Sequence, residues 1–220
     1  MVIRHETLKE AWRRQQCWRT PLPGVVLAPG GTCAVTGPSG SAKTDLLYLF
    51  AVTFCSRLND RRLLWIDADA RFHPLRILAV CRAAVGDRWR AVLARVVVRR
   101  ARSAPDAARI LSDADPNEVV VILDGSDAWI PLDSKQHFAS LKQALHGFCH
   151  RGGMMCVSGR DPPPPQWYRL VLYPAMTIAM TQLSADDNLF LATVSQGPNS
   201  RLKFKLQADE DGAAVIPFET

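Results

Sequence analysis

No cysteine pair in this chain has C-x-x-C spacing, no apolar run approaches the roughly 20 residues that a bilayer-spanning helix needs, and no internal repeat divides its 220 residues. Each absence narrows the choice. The six cysteines, at positions 17, 33, 55, 81, 149 and 156, lie mostly in apolar runs, so they read as reduced core residues rather than a disulfide framework. The most apolar stretches, VLARVVV and RLVLYPAMTIAMTQL, are interrupted by Arg95 and Pro174, and no membrane association is expected. The opening MVIRHETLKEAWRRQQCW is charged throughout, unlike a secretory signal. An intracellular globular chain with one core of ordinary size is the expectation. HGFCH places His146, Cys149 and His150 on one helical face. With no second cluster to complete a ligand set, an ordinary polar helix end is favoured over a metal site.

Acidic residues are scarce in one segment. Between Arg57 and Arg109, 13 arginines face five acids, whereas the rest of the chain holds 14 basic and 16 acidic residues. The whole net charge of +6 therefore originates there. Such a segment reads as a phosphate-binding surface for nucleic acid, or as a solvated face that pairs with an acidic neighbour.

The periodicity alternates between strand and helix. Residues 4–19 read as a helix, broken by the proline and glycine of TPLPGVVLAPGG. TCAVTG, RRLLWIDAD, LARVVVRRA, NEVVVILDG and GMMCVSG read as strands, and the segments between them as helices, PDAARILSDAD being opened by Pro105. NEVVVILDG is apolar almost throughout, as a strand covered on both faces would be. After RDPPPPQW the pattern changes to consecutive strands, YRLVLYPAMTIAMTQL, NLFLATVSQ, SRLKFKLQ and AAVIPF. The reading is an α/β fold: a mostly parallel twisted sheet with helices on both faces and antiparallel C-terminal strands. Residues 1–29 are expected as an N-terminal helix and linker, and 30–220 as the core domain.

GPSGSAKT, Gly37 to Thr44, nearly spells the phosphate loop G-x-x-x-x-G-K-[ST], with Ala42 where the second glycine belongs. A phosphate loop needs a strand that delivers the chain, a turn of converging N–H groups and a helix N-terminus aimed at the same point. All three parts are expected here. Pro38, Ser39, Gly40 and Ser41 form the turn, Lys43 reaches the terminal phosphates, and Thr44 takes Mg²⁺. Asp124, closing VVVILD, supplies a carboxylate as the second metal ligand. Ala42 is tolerable if its φ is negative and strained if φ is positive.

With GPSGSAKTDLLYLF before it and VVVILDGSDAW after it, LLWIDADARFHPLRI resembles the second conserved strand of RecA/Rad-type recombinases. The resemblance is nearest to the non-filament recombinase paralogues, above all the X-ray-repair paralogue that pairs with the D-type paralogue. The small P-loop subunit of Shu-type complexes is the other candidate. It implies a RecA-like P-loop NTPase core that binds ATP and Mg²⁺ through residues 37–44 and Asp124. It also implies an adaptor subunit in homologous-recombination repair, with other paralogues, a recombinase filament and single-stranded or branched DNA as partners. The compartment implied is the nucleus in a eukaryote and the cytoplasm otherwise. Active recombinases carry a glutamate that activates the attacking water where this chain has Asp69, a shorter carboxylate, so hydrolysis is expected to be weak or absent. The loops that hold DNA in recombinases are short here. Trp12, Trp18, Trp129 and Trp167 are candidates for either a partner surface or the core. The alternatives are a stand-alone P-loop ATPase or phosphotransferase and a bacterial RecA-like accessory protein.

Overall fold

The computed structural model describes residues 17–57, 61–129, 135–160, 174–184, 186–196, 201–210 and 212–217. Most of the expected N-terminal helix lies outside them. Its end is not helical: Trp18–Arg19 forms strand β1, antiparallel to β2, Val26–Leu27. The physical reason is Trp18 itself. Its ring is buried edge-on against Phe50 and Phe54 at 5.2 and 5.5 Å, a burial that an extended backbone anchored by Leu22, Val25 and Leu27 delivers.

Among the described residues, nine strands form the main sheet: β3, Thr32–Thr36; β4, Arg62–Asp67; β5, Val96–Arg100; β6, Val119–Asp124; β7, Met155–Gly159; β8, Met176–Ser184; β9, Leu189–Ser195; β10, Arg201–Asp209; and β11, Gly212–Pro217. Their spatial order is β11-β10-β9-β8-β3-β7-β6-β4-β5. From β8 to β5 the neighbours run parallel, and from β8 to β11 antiparallel. The expected α/β architecture with antiparallel C-terminal strands is what the chain adopts.

Helices cover both faces. On one side lie α1, Lys43–Arg57, α2, Pro74–Val85, and the short α3, Trp89–Leu93; on the other lie α4, Ala104–Ser112, and α5, Lys135–His150. The two apolar clusters follow this division, since Trp65 and Ile122 pack with α1 and α2 whereas Ile66 and Leu123 pack with α4 and α5. β6 is therefore apolar on both faces, as its sequence implies. α1 is buried on most sides between the sheet and α2, which is why its apolar residues show little stripe. Trp18 and Trp129 are both core residues, 1% and 2% exposed. Trp12 and Trp167 lie outside the described residues. No helix among the described residues is long and apolar enough to cross a membrane.

Candidate functional site

Parallel strands deliver their carboxyl ends to one edge of the sheet, and there the chemistry collects. Asp67 and Asp124 end β4 and β6 directly opposite each other. β7 brings Ser158 alongside, and β3 leads into residues 37–44. Gly37 is needed sterically: a Cβ there would lie 2.5 Å from Ser41 Oγ and 2.7 Å from the Met180 carbonyl oxygen. Ser41 Oγ donates to the Pro38 carbonyl at 2.9 Å, and Lys43 Nζ donates to the carbonyls of Gly37 and Pro38 at 2.8 and 2.7 Å. α1 begins at Lys43, so its free N–H groups face the loop. Ala42 accepts the first backbone bond of this helix, from Leu46 N–H, at φ +55°. The missing glycine thus sits in the left-handed region, and the alanine is strained.

Carboxylates and cations are tightly packed here. Thr44 Oγ1 donates to Asp124 Oδ2 at 3.1 Å. Ser158 Oγ donates to the other oxygen of Asp124 and accepts the Gly125 N–H at 2.8 Å. Burial pushes the Asp124 carboxyl up to about 6, against the opposing pull of Ser158. Burial also lowers the Lys43 ammonium, partly offset by Asp127 and Asp124. Asp69 is raised by burial, which outweighs its 3.2 Å ion pair with Arg71. Its Oδ1 is buried with no hydrogen-bond partner among the described residues. Gly125, at φ +75°, passes so close to Asp69 that a Cβ would lie 2.5 Å from Cγ. Arg160 pairs with Asp127 at 2.8 Å and Arg100 with Asp67 at 3.5 Å.

Apart from Asp67 and Arg100, these groups line one cleft of about 840 Å³ that includes the loop from Pro38 to Thr44, Asp69 and Asp124, with Gly37 behind it as the pivot. All the residues expected from sequence are brought together. Ser158, Asp127 and the Arg71 ion pair were not expected; a lone serine one residue before a strand-end glycine carries no distinguishing pattern. The donor set suits a magnesium-bound phosphate: Thr44, Asp124 and the unpartnered Asp69 oxygen are all hard oxygen donors, and the loop offers backbone N–H groups and one ammonium.

No protein-family model matches the sequence. No curated protein matches it either. Among solved structures, the chain is similar to the crystal structure of the RadB recombinase, with a TM-score of 0.66 and 15% identity over 88% of this chain and 93% of that one. The shared fold is RecA-like.

Proposed function

We propose that this chain is a recombinase-paralogue subunit of homologous-recombination repair, an adaptor that binds other paralogues and supports recombinase assembly on single-stranded DNA. It binds Mg²⁺ and ATP and hydrolyses ATP weakly or not at all. Residues 30–220 serve as the ATPase core, with residues 1–29 as an arm that Trp18 anchors. The RecA-like fold and the motif order support this reading.

The observation that carries it is a contrast within one cleft. The holding parts are complete: Lys43 and the loop N–H groups hold phosphate, while Thr44 and Asp124 hold the metal, whose charge would neutralise the phosphates when bound. The group that would orient an attacking water is impaired. Asp69 is one methylene short, bound to Arg71 and fixed beneath Gly125. A positioned base is worth about 10²–10⁴ in rate, and a displacement of about 1 Å forfeits much of that.

The test combines equilibrium nucleotide binding with single-turnover hydrolysis, with and without single-stranded DNA. Magnesium-dependent ATP binding that Lys43→Ala weakens at least tenfold is expected, with turnover slow in both conditions. Robust multiple turnover that Lys43→Ala abolishes would sink the adaptor reading and favour a stand-alone ATPase.

A further inference from the structure

Among the described residues, Arg62, Arg71, Arg76, Arg100, Arg109 and Arg160 each rest on a carboxylate. Arg82, Arg88 and Arg90 are exposed, and none of them pairs with a carboxylate among the described residues. Two of them, Arg82 and Arg90, share one aromatic ring, and Arg88 precedes it in the chain. The guanidinium carbons of Arg82 and Arg90 lie 5.0 and 4.5 Å from the ring centroid of Trp89. Trp89 is half-buried and packs against the core, so the ring is a fixed platform. Stacking engages the flat face of a guanidinium and leaves its in-plane N–H groups free to fork onto an anion. The one acid between Pro74 and Arg95 is Asp87, against five arginines. It is exposed and pairs with none of the three.

The position of this cluster is set by topology. Arg82 lies in the last turn of α2, and Trp89 and Arg90 open α3, which leads into β5. The first residue of β5, Val96, is level with Leu63 at the start of β4. The phosphate loop, Asp67 and Asp124 lie at the other, carboxyl end. A five-residue strand, about 16 Å long, separates the two levels, so these arginines are not part of the nucleotide cleft.

We infer that the Arg82–Trp89–Arg90 cluster, with Arg88, docks the phosphate backbone of a single-stranded nucleic acid at the end of the sheet opposite the phosphate loop. Unpaired, pre-oriented guanidiniums suit phosphate oxygens. A half-exposed ring among them adds an apolar surface for a base or sugar, the combination that single-strand binders use. This inference rests on the reading of the chain as a DNA-associated subunit and gives that reading a surface.

The test is fluorescence anisotropy of a labelled oligothymidylate with the full chain between 50 and 200 mM salt, in the wild type and in Arg82→Ala/Arg90→Ala. Each phosphate contact on a single strand contributes about 0.7 to the slope of log affinity against log salt, so losing two should flatten the slope by about 1.4. Affinity should fall at least tenfold at the lowest salt, with the melting temperature and ATP binding unchanged, because both side chains are exposed. Arg82→Lys/Arg90→Lys keeps the charge but loses the stacked fork and should fall between. If the wild type binds and the double alanine variant keeps its slope, this inference fails and the functional reading stands. A wild type that binds no oligonucleotide at 50 mM salt overturns both. Polyglutamate competing as well as unlabelled oligothymidylate at equal charge overturns the nucleic-acid assignment in favour of an acidic protein.

Discussion

Ala42 and Asp124 bear costs that the nucleotide cleft imposes on the fold. A Cβ in the left-handed region costs about 1–2 kcal/mol, and glycine's freer unfolded chain returns roughly 0.4–1 kcal/mol of that. Ala42→Gly should therefore stabilise the protein by about 0.5–1 kcal/mol, seen as a higher urea midpoint at unchanged slope; an unchanged or lower midpoint would show that the +55° conformation is unstrained. Asp124 makes stability depend on pH. Its unfolded carboxyl titrates near 3.9, and its folded one at about 6. Below pH 4 both states hold the proton, between the two values mainly the folded state does, and above about 6 neither does. Stability from this group is thus greatest at low pH and falls as pH rises through that window, by up to about 1.4 kcal/mol per pH unit. Asp124→Asn should flatten the fall, leaving the slope contributed by Asp69, which burial raises in the same direction. Urea melts at pH 4, 5, 6 and 7 check this, and parallel curves for the two proteins would refute it.

Among the elements, α2 ties the nucleotide end of α1 to the last hairpin through one side chain. Arg76 donates from Nε to Asp45, in the first turn of α1, and from its two terminal nitrogens to the carbonyls of Asp209 and Gly212. The side chain is mostly covered, and charged hydrogen bonds of this kind contribute about 1.5–3 kcal/mol each at most. Arg76→Ala should destabilise by about 1–3 kcal/mol and speed amide exchange in β11 more than in β6. Equal acceleration in both strands would mean that Arg76 supports the fold generally and tethers nothing. No local pattern announces this contact, because its partners are 31 to 136 residues away in sequence. By contrast, β3, β4, β6 and β7 were legible because burial on both faces writes a continuous apolar run. The phosphate loop and Asp124 were legible because their spacing is local to a strand–turn–helix. α3 and the β1–β2 pair were missed: five residues and two residues are too short for a period to register. Whether Ala42 is strained could not be read at all, since composition does not report the sign of φ.

At the scale of the whole molecule, the sheet formed by the described residues is open, and its two edges are protected differently. β11 ends in Pro217, which cannot donate to a further strand. β5 is the edge at the other end of the sheet order. Edge strands with free N–H and C=O groups invite pairing with another chain unless charge or proline blunts them. On β5, Arg99 and Arg100 protect only the carboxyl half, and Val98 is 40% exposed beside the half-buried Val96 and Val97. The charge distribution works in the same direction. With the positive excess confined to residues 57–109, repulsion between copies is concentrated around this edge and is screened as added salt shortens the Debye length below about 8–10 Å. The isolated chain should therefore associate with itself through β5, and more so in salt. Val98→Lys adds a charge at the unprotected middle of the strand while removing little buried area, so its cost to stability should stay within about 0.5 kcal/mol, as for other surface changes. Static light scattering across protein concentration and salt reads the outcome: the variant should stay monomeric where the wild type does not. Equal association in both proteins would move the sticky surface elsewhere, to the exposed Leu183 and Leu202 of the antiparallel half.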